Sequence, residues 1–280
     1  MFEITKTRSI DEIPSTMARR IAARLDELEE TEGLRVIYAC ESGSRAWGFP
    51  SQDSDFDVRF LYVRPVSWYL SVFERKDVIE DEVDRELDLG GWDVRKALGL
   101  MRKGNAPLLE WLTSPLVYRE SAEPTAPLRD LMQPSLLPES VCHHYLAQAR
   151  RMMKTLDAAE EVKLKTYLYA MRCLAAARWV ADRERVPPMD LGVLLGEEGA
   201  LWPADLIAEL LAEKARGTEA DRVQRRPELD RGLKAQHDDV ASRIPKNPPY
   251  LEQRVFDRAF LDVLRAVGVP VDELSRVRHG

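Results

Sequence analysis

The segment Cys40–Phe60, CESGSRAWGFPSQDSDFDVRF, gathers residue types that could do chemistry. Asp55 and Asp57 stand two apart at the head of Phe56–Val63, a run rich in Phe, Val, Leu and Tyr. Residues i and i+2 of a strand point to the same face, so the two carboxylates stand side by side while Phe56 turns into the core. Like charges that close raise one of the two pKa values. A hard divalent cation relieves that repulsion, and Mg²⁺ takes a few carboxylates together with substrate phosphates. About ten residues earlier, Gly43-Ser44 makes a turn after the apolar run Leu34–Cys40. Glycine brings the backbone close to a ligand with no Cβ in the way, and exposed N–H groups at such a turn, at the mouth of a following helix, form an anion site. The Ser44 hydroxyl adds a hydrogen bond to a terminal phosphate, and Arg45 adds positive charge nearby. Either feature alone is commonplace on protein surfaces. The ordered set is specific: a strand, Gly-Ser, about ten residues, then D-x-D entering a second strand. A phosphate cradle beside a carboxylate pair is what nucleotidyl transfer needs.

The elements that must position these residues are legible around them. Ser15 to about Glu32 reads as a helix with Met17, Ile21, Leu25 and Leu28 on one face, ended by Gly33. Leu34–Cys40 and Phe56–Val63 read as buried strands, and Ser67–Glu74 as a short helix. A third strand is expected over Val83–Leu89, broken by Gly90 and Gly91, after which Asp93 caps a helix. Asn105 and Pro107 begin another short helix, stopped by Ser114-Pro115. The proline-bearing SAEPTAP from Ser121 reads as a linker or surface loop. Beyond it helical patterns dominate: Pro138–Ala158, Glu161–Arg183, Asp190–Leu195, Pro203–Ala215, Pro227–Arg243 and Leu251–Val267. Strands first and helices after predict an α+β amino-terminal domain, residues 1–120, followed by an all-helical domain, residues 121–280.

Gly43–Phe60, GSRAWGFPSQDSDFDVRF, resembles the signature of the DNA polymerase β nucleotidyltransferase superfamily, a G-S followed by D-x-D. More narrowly it resembles the bacterial and phage nucleotidyltransferases associated with RNA ligases and RNA repair. LDLGGWDVRKAL (Leu87–Leu98), NAPLLEWLTSPLVY (Asn105–Tyr118) and KLKTYLYAMRCLAAARWV (Lys163–Val180) carry the likeness to about Leu195. The resemblance implies a polymerase β-like catalytic domain, a small mixed sheet with helices. It also implies a helical domain completing a nucleotide and acceptor cleft. The implied reaction moves NMP from an NTP to a hydroxyl, with two Mg²⁺ ions (Mn²⁺ being the alternative) about 3.5–4 Å apart. The implied partners are RNA 3′ ends and an RNA ligase, with small-molecule or protein acceptors, or a non-catalytic nucleotide sensor, as rival readings. The superfamily carries a third carboxylate on a later strand, flanked by apolar residues, as base for the attacking hydroxyl. Leu87-Asp88-Leu89 fits, so Asp55, Asp57 and Asp88 are the expected metal ligands. Asp93 is the rival for that role, although its place at a helix start suits an N-cap. Asp84 and Glu86 would share a strand face with Asp88.

In Lys163–Val180, Lys165, Tyr169 and Arg172 fall at i, i+4 and i+7 on one helix face, beside an apolar face of Leu164, Leu168, Met171 and Ala175. A Lys, a Tyr and an Arg projecting together suit a triphosphate and a stacked base or sugar, against the plainer reading of a solvated face with snorkelling cations. Val141–Arg185 holds nine basic and five acidic residues in a chain of net charge -7. The overall sign disfavours a dedicated duplex binder but permits a local basic cleft. Hydrophobic content of 45% with 32% charged residues excludes general disorder. Three widely spaced cysteines, Cys40, Cys142 and Cys173, suggest buried thiols rather than a disulfide framework. The four histidines, His143, His144, His237 and His279, form no metal motif. No apolar run reaches bilayer length and MFEITKTRSIDEIPST lacks a secretory core, so a cytoplasmic protein without membrane contact is expected.

Overall fold

The computed structural model describes residues 9–197 and 202–269; His279 and the first eight residues of the amino-terminal stretch lie outside these. Helix α1 (Ser15–Glu32) buries Ile21, Leu25 and Leu28 at the expected helical spacing. Strand β1 (Arg35–Glu41), the single turn α2 (Ser44–Trp47) and β2 (Phe56–Val63) follow. Next come α3 (Val66–Tyr69), β3 (Val78–Glu82), β4 (Leu87–Asp93), α4 (Val94–Met101), α5 (Ala106–Leu112), β5 (Val117–Glu120) and α6 (Ala122–Met132). The five strands form one mixed sheet in the order β3-β4-β2-β1-β5. The β2–β4 pair is parallel and the other neighbours are antiparallel. This is the small mixed sheet with helices that the sequence implies. One face packs Phe56, Val58, Phe60, Leu87 and Leu89 on α1. The other packs Ile37, Leu61 and Val63 against α4 and α5.

Three local expectations need correction. Of the expected Val83–Leu89 strand, residues 83–86 are instead the turn between β3 and β4, and β4 starts at Leu87 and runs straight through Gly90 and Gly91. These glycines answer to packing: a Cβ on Gly91 would collide with the Phe60 ring, and one on Gly90 would crowd the Arg59 side chain. Ser67–Glu74 shrinks to α3, ending at Tyr69. SAEPTAP is no linker but the start of α6, where Pro124 lies in the first turn and needs no N–H partner. Thr125 is fully buried and donates to the Ile37 carbonyl of β1, fastening α6 to the sheet.

The second half contains α7 (Pro138–Asp157), β6 (Glu161–Lys163), α8 (Leu164–Arg183), α9 (Leu191–Glu197), α10 (Ala204–Arg216), β7 (Arg222–Gln224), α11 (Pro227–Ser242) and α12 (Gln253–Ala266). Glu161–Lys163, read from the sequence as helix, is a short strand paired with β7. Helix α8 is the hub: Leu168, Ala170, Met171, Leu174, Ala175, Ala176 and Ala177 are buried on successive turns. A helix apolar nearly all round belongs inside a bundle, and its alanines let α7 and α11 come close. Helix α12 turns back to the first half, seating Phe256, Ala259, Val263 and Leu264 in the cluster of Ile37, Val94, Leu98 and Leu128. All three cysteines are buried and free. Among the described residues no helix is long and apolar enough to cross a membrane.

Candidate active site

The site forms where β1 ends and the parallel strands β2 and β4 begin. Cross-strand register places Asp57 directly beside Asp88, so the two side chains share a face of the sheet. Asp55, one residue before β2, is exposed. Phe56 between them is buried, as the alternation requires. The Gly43-Ser44 turn abuts this group so closely that a Cβ on Gly43 would run into Asp57 Oδ2. Only glycine leaves room there for the carboxylate.

Glu41, at the end of β1, organises the turn. It is fully buried, accepts from the Gly43 N–H at 3.2 Å and the Asp57 N–H at 3.0 Å, and takes the Tyr118 hydroxyl at 2.6 Å. Burial pushes its carboxyl pKa up against the pull of these donors. The Gly43 N–H is therefore committed to Glu41. The Ser44 hydroxyl makes no hydrogen bond among the described residues. Arg45 turns away from the cradle: it donates to the Ser54 and Asp55 carbonyls, and its guanidinium lies 3.9 Å from the Phe56 ring centroid. It braces the loop that presents the carboxylates.

Asp57 is pushed above the ordinary carboxylate range, first by burial and then by Asp55, Asp88 and Glu219, with Arg59 opposing. Arg59 sits two residues on along β2 and therefore on the same face. Its guanidinium bridges Asp57 Oδ1 at 3.5 Å and Asp88 Oδ2 at 2.8 Å. The residues suit a divalent ion: hard oxygen donors in register, with mutual repulsion that a cation relieves. Among the described residues no three acidic, His or Cys side chains are already gathered at ligating spacing; Arg59 supplies the compensating charge instead. Asp93 lies five residues from Asp88 on β4, on the opposite face. It is fully buried, caps α4 through the Arg95 N–H at 2.8 Å and accepts from Tyr69 at 2.8 Å, and burial raises its carboxyl to about 6. Asp84 is occupied in the β3–β4 turn, accepting from the Glu86 and Leu87 N–H groups and pairing with Arg20. The Glu86 side chain is exposed in that turn.

The second half reaches the site through residues the sequence did not single out. Glu219, in the loop after α10, accepts from Ser51 and Ser54 of the loop before β2 at 3.0 and 2.9 Å, and its N–H binds Asp53. Its other partners are Lys165, one of the expected nucleotide residues, and Lys214, which is 2% exposed. Burial would raise the Glu219 carboxyl, but Lys165, Lys214 and Ser54 outweigh it and hold it at about 2. A depressed folded pKa contributes stability above the ordinary 4.5 that is lost as pH falls toward 2. Glu219→Gln should therefore melt below wild type at pH 7, and the gap should close between pH 4.5 and 2 when both are melted across that range. Lys214 continues the buried stripe Ile207, Leu210 of α10; a lysine at an apolar position was the available signal. Arg59 was readable from the period of two. Glu219 carries no sequence signal, because apart from Lys214 its partners lie more than fifty residues away.

Lys165, Tyr169 and Arg172 do not form one exposed stripe. Tyr169 packs edge-on to Trp47, ring centroids 4.5 Å apart, and its phenol is raised by burial and then by the charges of Asp57 and Glu219. Arg172 is 4% exposed and locked inside, donating to Glu110 at 2.7 Å and the Met189 carbonyl at 3.0 Å. Glu110, 13% exposed at its side chain, is the counter-charge.

A Bacillus subtilis (strain 168) protein named "Uncharacterized protein YcgL" is 41% identical over 245 residues, covering 81% of this chain and 94% of its own length. Residues 17–262, which include β1, the Gly-Ser turn, all three site aspartates and the helical half, match one family along their whole extent. The chain belongs to that family, RlaP, the RNA repair pathway DNA polymerase beta family.

Proposed function

We propose that the protein transfers a nucleoside monophosphate from an NTP to a hydroxyl acceptor and releases pyrophosphate. The observation that carries the reading is the pairing of Asp57 with Asp88 across parallel strands, against a Gly-Ser turn with no room for a side chain. Asp55, Asp57 and Asp88 would hold divalent cations, Mg²⁺ or Mn²⁺. When bound, these neutralise charge on the attacking and leaving oxygens. The protein's own groups supply the rest. Ser44 hydrogen-bonds a phosphate oxygen, and Glu41 and Arg45 fix the turn and the loop that carry Ser44 and Asp55. Lys165 answers the triphosphate charge once it leaves Glu219. The acceptor oxygen forms a bond to the α-phosphorus, the bond from that phosphorus to the bridging oxygen breaks, and Asp88 takes the hydroxyl proton.

RNA repair in the family description supports an RNA 3′ end as acceptor and an RNA ligase as a companion activity. One observation favours a different acceptor. A groove of about 360 Å³ runs from Asp88 over Gly90 to Trp92, rimmed by the exposed Glu80 and Glu82. Such a rim repels a phosphodiester backbone and suits an uncharged or cationic small molecule bearing a hydroxyl. Incubating the protein with α-labelled NTPs and RNA, DNA, aminoglycoside and protein acceptors separates these cases, and label on none of them would refute the reading. Asp88→Asn should slow transfer to the preferred acceptor by about 10²-fold, the lower part of the range for losing a general base. Wild-type turnover in that variant removes Asp88 from proton transfer.

A further inference from the structure

A second cavity, of about 220 Å³, opens between α2, α5, α7 and α8. Its walls include the rings of Trp47 and Tyr169 and the side chain of Met152. Trp47 ends the turn that Ser44 begins. Tyr169 touches Trp47 on one side and lies close enough to Asp57 to feel its charge. The cavity therefore adjoins the turn that carries Ser44.

Its polar groups are few and specific. Glu110 Oε1 is saturated by Tyr145 and Arg172, at 2.9 and 2.7 Å. Glu110 Oε2 makes no hydrogen bond among the described residues, and Glu110 lines the cavity. Gln148 and His144, one helical turn apart on α7, line it from the other side. Trp47 offers its ring and not its N–H, since Nε1 is buried away from the open space. The Arg172 guanidinium lies under the Trp47 ring, 4.8 Å from its centroid, and keeps that ring in place. Flat apolar walls with a free carboxylate oxygen and an amide match a heteroaromatic base, apolar on its faces and polar at its edge. Size narrows the class. A dry cavity of roughly 150 Å³ takes a single six-membered ring, and this one has room for a fused pair.

We infer that this cavity receives the base of the nucleotide and selects purines, with Glu110 Oε2 accepting an N–H from the base edge. The inference rests on the nucleotidyl-transfer reading of the adjoining aspartates. It assigns the stretch around Trp47 to recognition, and it makes Glu110 both the anchor of Arg172 and the reader of the substrate.

The test uses the full chain with Mg²⁺ and the α,β-methylene analogues of ATP, GTP, CTP and UTP, titrated by calorimetry. The purine analogues should bind at least about tenfold more tightly than the pyrimidines, the scale of a modest difference in apolar pocket contact. The analogue of purine riboside triphosphate, which has no N–H on its base edge, should fall below ATP and GTP. Met152→Trp, which fills the cavity from a half-buried position, should erase the purine advantage while its melting temperature and its Mn²⁺ binding by EPR stay at wild-type values. Equal affinity for all four nucleotides, or undiminished purine binding by a stably folded Met152→Trp, overturns the assignment. If that happens while Mn²⁺ binding still requires Asp57, only the base site falls. If no nucleotide binds and Mn²⁺ binding ignores Asp57, the parent reading falls with it.

Discussion

Asp57→Ala should end nucleotidyl transfer, lowering it by about 10³-fold or more, at the upper end of what one preorganised charge-stabilising group contributes. Asp57 carries several functions at once. It faces Asp88 across the β2–β4 ladder, touches Gly43, and receives Arg59 on one oxygen. Alanine removes the central oxygen donor and leaves Arg59 bound to Asp88 alone. Folding should survive. Burial and the nearby negative charges of Asp55, Asp88 and Glu219 already disfavour the ionised carboxylate in the native state, so deletion relieves as much repulsion as it removes attraction. Transfer of label from an α-labelled NTP, read beside a thermal melt, checks both halves. Normal turnover, or a collapse of the melt that accounts for lost activity, would contradict the assignment. The same substitution should weaken Mn²⁺ binding measured by EPR in the absence of any acceptor.

Glu110→Ala should produce the largest loss of stability among the single changes considered, about 3–5 kcal/mol, the range for breaking a buried ion pair by removing one partner. Arg172 and Glu110 are 5% and 13% exposed at their side chains, and their pairing lies inside the helical core. Without Glu110, the guanidinium keeps only the Met189 carbonyl and the face of Trp47, and the Tyr145 hydroxyl loses its acceptor. Burial alone would lower the Arg172 pKa; Glu110, Tyr145 and Cys173 reverse that. Denaturant melts should show the drop in midpoint. Glu110→Gln, which keeps an acceptor for Tyr145, should recover part of it. A Glu110→Ala protein as stable as wild type would mean that Arg172 finds another partner.

The sequence displayed most of what depends on short range. Period-two alternation located Asp57 and buried Phe56. The helix caps at Asp93 and Asn105 have the side-chain bonds their residue types suggest. The i, i+3, i+4 spacing of α1 set both its limits and its buried face. Errors arose where a distant neighbour decided the outcome. Gly90 and Gly91 look like breakers until Phe60 and Arg59 are seen to need their space. Prolines suggested a loop at Ser121, yet Thr125 finds β1 across more than eighty residues and a helix forms. Arg172 was legible as a cation on a helix but not as a buried one, because burial is set by Glu110 on another element. Glu219 answers to residues on three separate segments, and no local pattern encodes such a meeting.

The return of α12 to the sheet has a practical side. Phe256, Ala259 and Val263 plug an oily seam whose other wall belongs to α4 and α6. An amino-terminal fragment severed near residue 130 would keep every proposed metal ligand yet leave that seam open to water, a clumping hazard in any host that expresses it. Two pieces produced separately should become soluble only when the last twenty or so described residues are supplied alongside, as a split protein mended by its own tail.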